Sequence, residues 1–272
     1  MMSIIEIIFF WLTVFTYVAA FCSHLIGFIS RKERIVDFAL RLLWIGLIFH
    51  TAAIITRWVT SGHPPVTDIY ELNLTGGWFT LLLFLAFEKP GKVERHIALV
   101  VIPVVFLMLG HGYISGTEIT PMGPDFRSPW LVVHVIFAWL SFGCYAIATG
   151  AAVFLLLKMR NPSKERFRKI PAPETLDTAG YRFIVLGFIT HAVMIVSGTI
   201  WAKKLWGHYW SWDPLETWSL IAFLFYAFYL HARSFLKWKM KRAAWLTLAG
   251  LLILIISFWG VGWFGPNIHP GP

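Results

Sequence analysis

The stretch Trp206-Gly-His-Tyr-Trp-Ser-Trp-Asp-Pro-Leu-Glu-Thr-Trp218 joins two apolar segments, 181–201 and 214–236. Each segment is long enough for one membrane-spanning helix, which needs roughly 17–25 residues. Together with Trp201, the stretch holds five of the 15 tryptophans of the chain. An interfacial belt explains scattered tryptophans, but it does not require such close spacing. Closely spaced indoles beside a rigid Asp-Pro step instead indicate a platform for a flat aromatic ligand.

The composition assigns the rest of the chain to the membrane. Of its 272 residues, 58% are hydrophobic and 14% are charged, whereas soluble domains carry roughly 25% charged residues. We therefore predict an all-α, polytopic membrane helix bundle that forms a single membrane domain over 1–272. About eight transmembrane helices are expected, at 3–28, 36–59, 72–88, 96–115, 130–157, 181–201, 214–236 and 243–264.

Basic residues predict the orientation of these helices. Lys and Arg gather in 31–41, 158–169 and 233–242, and the alternate loops carry few of them. Because basic loops stay on the cytoplasmic side, we expect both termini and the tryptophan loop, residues 201–218, on the outer side. The first segment lacks the pattern of a cleaved signal peptide, so it is expected to remain as a helix. The basic loops that orient the helices in the lipid bilayer therefore explain the net charge of +9. No nucleic-acid partner is expected.

The Asp-Pro step predicts a helix start. Asp213 suits an N-cap, Pro214 suits the first helical position, and Glu216 completes a capping-box pattern. The positive end of this helix would face the outer side and favour a ligand that carries carboxylates. Lys203 and Lys204 lie on the same side against the orientation rule, which also fits an anionic ligand.

Three histidines have positions that suit metal ligation. His134 lies just inside the outer end of the fifth predicted helix, and His269 lies just beyond the outer end of the eighth. Histidine is a common axial ligand of haem iron. A zinc site would need three or four close ligands, and the outer loops supply few. His231 lies roughly 25 Å along the seventh helix at 1.5 Å per residue, so it would belong to a second, inner site.

Other histidines have less specific positions. His24, His50 and His191 fall inside predicted helices, where a histidine is costly unless it is paired. Each of the three can be a packing residue or a ligand. His208 lies within the tryptophan loop and can touch a ligand there.

Several motifs together resemble those of the cytochrome c assembly proteins, the WWD-domain haem-handling superfamily. The most specific motif is the tryptophan stretch quoted above, and the match is to the CcsA (ResC) branch of the System II pathway. The resemblance covers about 44–272. Leu215 departs from it, because the family commonly has Lys there. The supporting motifs are Arg57-Trp-x-x-Ser-Gly-His-Pro-Pro with Tyr70-Glu71, Ser128-Pro-Trp-Leu-x-x-His134, and Tyr226-Ala-x-Tyr-Leu-His231-x-Arg233.

The resemblance implies a role in cytochrome c biogenesis. Haem b would be transported to the outer face of the membrane and attached covalently to the Cys-x-x-Cys-His motif of apocytochrome c. A CcsB/ResB-type membrane protein would be the partner, within a holocytochrome c synthase (cytochrome c haem lyase) complex. The membrane would be a bacterial inner membrane, or a thylakoid membrane in a plastid.

The resemblance also implies the residues that bind haem. His134 and His269 resemble the two outer axial ligands, and His231 resembles the ligand of the inner haem. No side chain is assigned a catalytic role, because thioether formation here depends on positioning. The remaining residues implied to bind haem are Trp206, Tyr209, Trp210, Trp212, Asp213, Pro214, Glu216 and Trp218.

Some alternatives stay open on these grounds. A CcmC-like haem handler would pass haem to a chaperone without forming thioethers. A membrane di-haem electron carrier would need paired histidines within the bilayer at both sites, and the outer position predicted for His134 argues against it. The second ligand of the inner haem comes from the partner chain, from His50 or from His24. Lys203 or Arg57 can pair with the haem propionates.

Overall fold

The fold is known from a computed structural model, which describes residues 2–88, 94–123, 126–163, 167–168 and 170–260. The regular elements of these residues are all helical, and eight helices are long and apolar enough to cross a membrane. This confirms the prediction of an all-α membrane helix bundle. The helices are α1 (Ile4–Ser30), α2 (Glu33–Ser61), α3 (Ile69–Phe87), α4 (Glu94–Ile114), α5 (Pro129–Arg160), α6 (Pro173–Trp206), α7 (Pro214–Ser234) and α8 (Lys241–Ile255).

Several helix ends differ from the prediction, most clearly in α6 and α8. Helix α6 begins at Pro173, whereas 181 was predicted, because the helix continues through a polar turn that a hydropathy pattern does not register. Helix α8 ends at Ile255 and continues as a π-helical turn, Ile256–Gly260. The predicted end of this helix, at 264, lies outside the described residues. The side of the membrane on which the termini lie stays a prediction.

The chain divides into two compact units. Unit 1 comprises Met1–Met122 and Arg160–Pro171, and unit 2 comprises Gly123–Met159 and Ala172–Pro272. Helices α1 to α4 therefore belong to unit 1, and helices α5 to α8 belong to unit 2. The prediction of a single membrane domain over 1–272 stays a prediction.

Close helix contacts in unit 1 depend on small residues. A Cβ atom on Gly46 would lie 2.4 Å from Cε1 of Tyr17, so glycine lets α2 approach α1 at this point. The Tyr17 hydroxyl lies 3.2 Å from Nδ1 of His50, and Nε2 of His50 lies 2.9 Å from the carbonyl oxygen of Leu74. Because a carbonyl oxygen only accepts, Nε2 donates and Nδ1 accepts from the hydroxyl. Both nitrogens of His50 are thus used to join α1, α2 and α3.

A buried guanidinium fixes one end of unit 1. Arg57 on α2 is fully buried. Its Nε donates to Glu71 and its Nη2 to Asp68, each at 2.8 Å. Nη1 and Nη2 also donate to the carbonyl oxygens of Thr117 and Glu118, at 3.0 and 2.8 Å. Arg57 therefore ties α2 both to the start of α3 and to the segment that follows α4.

One further carboxylate completes this ion cluster. Glu6 on α1 accepts a hydrogen bond from the Tyr70 hydroxyl at 3.0 Å, and its Oε1 lies 4.0 Å from Nη1 of Arg57. Burial raises the pKa of the Asp68 carboxyl above its ordinary value, and the guanidinium opposes that shift. Three carboxylates thus surround one guanidinium, so the fold of this end of unit 1 depends on Arg57.

A pair of stacked tyrosines forms the centre of unit 2. The rings of Tyr145 on α5 and Tyr226 on α7 lie 3.6 Å apart between centroids, with planes inclined by 6°. Glycines on the neighbouring helices make room for both rings. A Cβ on Gly187 would lie 2.7 Å from Cε1 of Tyr145, and one on Gly250 would lie 2.8 Å from the Tyr226 hydroxyl. The large rings of α5 and α7 therefore pack against small residues of α6 and α8.

Candidate functional site

His134 is held in one orientation by helix α6. It lies near the start of α5, and its Nδ1 is 2.9 Å from the carbonyl oxygen of Met194. Because the carbonyl accepts, Nδ1 carries the proton, and Nε2 of the neutral ring keeps a lone pair. Histidines that bind metals are commonly oriented in this way by a hydrogen bond at the other nitrogen. The geometry thus prepares Nε2 of His134 to be a metal ligand.

The approach of α6 to this imidazole depends on Gly198. A Cβ on Gly198 would lie 2.7 Å from Nδ1 and 3.0 Å from Cε1 of His134. Met194 and Gly198 are four residues apart and so lie on one face of α6. Neither residue was predicted from the sequence. A backbone carbonyl has no side-chain motif, and the only signal for Gly198 was a glycine inside an apolar helix.

If His134 binds haem iron as predicted, a Gly198→Ala substitution should weaken haem binding. The added methyl group would displace the imidazole from the Met194 carbonyl. Loss of a hydrogen bond that orients a metal-binding histidine typically lowers metal affinity by about 10–100-fold. The protein should still fold, because alanine is favoured over glycine in a helix by about 1 kcal/mol. Haem titration of the purified protein, followed by its absorption spectrum, checks this.

Gly110→Ala is the matched control, since a Cβ at Gly110 would meet no atom within 4 Å. It should leave haem affinity unchanged. Equal haem affinity in the Gly198 and Gly110 variants would contradict the role assigned to Gly198.

Trp201 links His134 to the rest of the tryptophan loop. Its ring centroid lies 6.5 Å from that of His134 and 5.8 Å from that of Trp206. Phe126 lies 6.0 Å from Trp201 on the same measure. The imidazole and the first indoles of the loop therefore lie along one continuous aromatic surface within unit 2.

The other rings of the tryptophan loop are not coplanar, and they differ in exposure. Trp206, His208, Tyr209 and Trp212 are exposed, whereas Trp210 and Trp218 are half-buried. Trp206 and His208 are inclined by 22° at a centroid distance of 6.4 Å, whereas Trp210 and Trp212 are inclined by 82° at 5.8 Å. The exposed fractions of Tyr209 and Trp212 are 58% and 70%. The loop thus offers several ring faces and edges to a ligand, and it does not form one flat stack.

Two carboxylates hold the backbone of the loop. Asp213 accepts from the backbone N–H of Glu216 at 2.9 Å, with Pro214 at the start of α7, which confirms the predicted N-cap. Glu216 accepts from the backbone N–H and the hydroxyl of Ser211 at 2.7 and 3.0 Å. These bonds fasten Ser211 to the first turn of α7.

The backbone at Trp212 is strained. Its φ of 61° lies in the left-handed region, which costs an L-residue roughly 1–2 kcal/mol. The Thr217 hydroxyl donates to the Trp212 carbonyl oxygen at 3.2 Å and helps to hold this conformation. A glycine would avoid the strain, and an indole that is mostly exposed adds little to the packing of the loop. This cost is explained if the indole contacts a ligand.

The two cations predicted to pair with haem propionates differ in accessibility. Lys203 is exposed, donates to the carbonyl oxygen of Gly207 and lies over the Tyr209 ring at 5.4 Å. It stays a predicted propionate partner. Arg57 belongs to unit 1 and is fully buried, with donors directed to Glu71, Asp68 and backbone carbonyls. Its role is therefore structural, and the geometry does not support the predicted contact with a propionate.

His231 lies at the other end of unit 2. It is exposed in the last turn of α7, and its ring stacks on that of Phe235 at a centroid distance of 4.7 Å. The helix places it roughly 25 Å from Pro214 at 1.5 Å per residue, so His134 and His231 cannot bind the same metal ion. His269, the other predicted outer ligand, lies outside the described residues.

The intramembrane histidines have different surroundings. His50 uses both nitrogens in hydrogen bonds, which assigns it a packing role. His191 is buried with its Nδ1 3.5 Å from the Tyr145 hydroxyl and its ring against Phe223. His24 is fully buried, yet neither of its nitrogens has a hydrogen-bond partner among the described residues.

Comparison with known proteins decides the family. The model of the family described as "Cytochrome C assembly protein" matches residues 66–269, which is more than half of the chain. The chain belongs to the cytochrome c assembly protein family. This confirms the resemblance inferred from the tryptophan loop and the other motifs.

Curated members of the family align with most of the chain. Cytochrome c biogenesis protein CcsA of Prochlorococcus marinus (strain NATL2A) is 33% identical over 261 residues, which cover 84% of this chain and 82% of the relative. CcsA of Guillardia theta is 30% identical over 283 residues, with 95% and 93% covered. The predicted CcsA branch is therefore the one to which these relatives belong.

One solved structure has a similar fold. The cytochrome c haem lyase CcmF superposes with a TM-score of 0.65 at 17% sequence identity, covering 96% of this chain. The chain spans about half the length of that protein, since 50% of CcmF is covered. The two proteins thus share an all-helical architecture.

Proposed function

We propose that this protein acts in cytochrome c biogenesis, where it holds haem on the outer side of the membrane and joins it to apocytochrome c. One observation carries the proposal. The Met194 carbonyl accepts a hydrogen bond from Nδ1 of His134, which leaves Nε2 as a ligand for haem iron beside the exposed rings of the tryptophan loop. The names of the relatives support the part of the proposal that concerns cytochrome c biogenesis.

The chemistry needs positioning more than it needs acid–base groups. Each thiol of the Cys-x-x-Cys-His motif adds across one haem vinyl group, so a sulfur–carbon bond forms and the thiol hydrogen passes to the neighbouring vinyl carbon. No electrons enter or leave in this addition. Holding the reactants together can lower a barrier by about 7–11 kcal/mol. The tryptophan loop would hold the porphyrin, and the incoming histidine would displace one axial ligand and bring the thiols to the vinyls.

Haem delivery would use two further histidines and a partner protein. His269 would be the second outer ligand, and His231 would be a ligand of haem b at the inner side. A CcsB/ResB-type protein would complete the inner site, since His50 is occupied by its own hydrogen bonds. The host membrane would be a bacterial inner membrane or a thylakoid membrane.

Co-expression tests the proposal. The chain, a CcsB/ResB-type partner and an apocytochrome c are produced in a host that lacks its own cytochrome c assembly system. Covalent haem is then detected by peroxidase staining of a denaturing gel. We expect holocytochrome c only when all three proteins are present. An apocytochrome whose two motif cysteines are changed to serine is the control and should give no signal.

The same experiment separates attachment from haem handling alone. If haem copurifies with the chain and no covalent product appears, the attachment function is wrong. A CcmC-like role, in which haem passes to a chaperone, would then explain the bound haem.

A further inference from the structure

His24 is a buried histidine whose nitrogens are not used by the fold. Its side chain is fully buried on α1, and neither ring nitrogen has a hydrogen-bond partner among the residues that the structure describes. Most buried polar groups are hydrogen-bonded, and one that is not needs an explanation, such as an ion. His50 shows the usual situation in the same unit, since both of its nitrogens are bonded.

A second imidazole lies next to His24. The ring of His96, at the start of α4, is 6.2 Å from that of His24 between centroids, and the planes are nearly perpendicular at 88°. Phe28 packs against His96 at 5.5 Å and against Phe167 at 6.2 Å. The two imidazoles therefore meet in an aromatic environment within unit 1.

The charge of the arginine beside this pair is largely offset. Arg95 precedes His96 in the chain and forms ion pairs with Glu88 at 3.3 Å, with Glu33 at 3.5 Å and with Asp37. Carboxylates this close weaken the electrostatic field of the guanidinium. Arg95 therefore opposes a positive ion at the neighbouring imidazoles less than an unpaired arginine would.

We propose that His24 and His96 form a two-imidazole site for a metal centre, which is either a first-row transition-metal ion or the iron of haem. An imidazole nitrogen lies about 2.0–2.1 Å from a bound metal such as zinc, and the ring centre lies about one bond length (roughly 1.3 Å) behind that nitrogen. Two rings on opposite sides of one metal thus have centroids about 6–7 Å apart, and two rings at a tetrahedral angle have centroids about 5–6 Å apart. The observed 6.2 Å is close to both values.

Imidazole is a suitable ligand for this class of ions. Zinc, copper, iron and nickel all bind imidazole nitrogen, whereas magnesium and calcium prefer oxygen. Each ring needs only one nitrogen for the metal, so His96 can keep a hydrogen bond at its other nitrogen, as ligating histidines usually do. The site uses residues of unit 1 alone, and it does not depend on the function proposed for the tryptophan loop.

Metal and haem content test the site. The full-length protein is purified, and its metals are measured by inductively coupled plasma mass spectrometry and its haem by the pyridine haemochrome assay. After removal of bound metal, Zn²⁺ and haem are each titrated back. We expect His24→Phe to lose the bound centre and to weaken rebinding by at least about tenfold. The centre is haem if the haem content falls, and it is a metal ion if the metal content falls while the haem content does not.

Two further variants make the result specific. His96→Phe removes the other imidazole from a different helix and should cause the same loss. His50→Phe is the matched control, a buried histidine of the same unit whose nitrogens are occupied. It should keep the wild-type content while lowering thermal stability. If both the His24 and His96 variants retain wild-type content and affinity for Zn²⁺ and haem, the proposal is wrong. Because the readout is bound metal, a failure of haem attachment would not affect it.

Discussion

A His134→Gly variant should lose covalent haem attachment almost entirely, and added imidazole should restore part of it. The substitution removes a proposed iron ligand. The loss of activity should therefore exceed the roughly 10–100-fold effect that is typical when only a hydrogen bond orienting a ligand is lost. The space left by the side chain is bordered by Trp201 and by the Met194 carbonyl. Imidazole entering that space can donate to the carbonyl and present its second nitrogen to iron. The measurement is peroxidase staining of the co-expressed cytochrome with and without imidazole.

The matched control is His111→Gly. His111 belongs to unit 1, where the Asn73 side chain lies 3.2 Å from its Nδ1, and it has no part in the proposed site. Its loss should leave attachment near the wild-type level, and imidazole should have no effect. Full attachment by His134→Gly without imidazole would disprove the axial role of His134.

An Arg57→Met variant should be the most destabilised single substitution in unit 1. Methionine fills much of the volume but leaves Glu6, Asp68 and Glu71 without their guanidinium. Breaking a buried ion pair on one side typically costs about 3–5 kcal/mol. We expect a lower yield of folded protein and a lower midpoint of thermal unfolding in detergent, followed by fluorescence-detected size-exclusion chromatography.

Two variants bracket this result. Arg57→Lys keeps the charge but lacks the planar fork that reaches several acceptors at once, so its stability should be intermediate. Arg41→Met removes an exposed arginine of the same helix and should unfold at the wild-type temperature. If Arg57→Met also unfolds at the wild-type temperature, the ion cluster does not hold unit 1 together. If the folded fraction of the Arg57→Met variant binds haem with normal affinity, this would support a structural role for Arg57.

The number and type of helices were predictable because each apolar run is long enough to cross a bilayer. The ends of the helices were less predictable. Hydropathy registers the part of a helix that contacts lipid, and α6 continues beyond that part, as far back as Pro173. The start of α7 was predicted correctly because Asp213 and Pro214 have strong positional preferences in helices. The division into two compact units has no local sequence signal, since it depends on contacts between residues distant in the chain.

For the candidate site, sequence patterns predicted side chains and missed their surroundings. His134 and Asp213 belong to motifs, so both were identified. The Met194 carbonyl that orients the imidazole, and Gly198 that admits it, have no such signature. Arg57 shows the converse limitation. Its motif suggested a cation available to a ligand, and its burial among carboxylates was visible only in the fold.

The internal bonds of the tryptophan loop have a kinetic consequence. Asp213 and Glu216 fasten the loop through Ser211 and the start of α7, so its shape does not require a bound porphyrin. A surface that is already formed loses little conformational entropy when it binds haem. It also has no hinge that would have to open for release. We therefore expect the exchange of iron–imidazole bonds to limit the rate of haem release. The histidine of the arriving cytochrome would compete for the iron and so determine when haem is released.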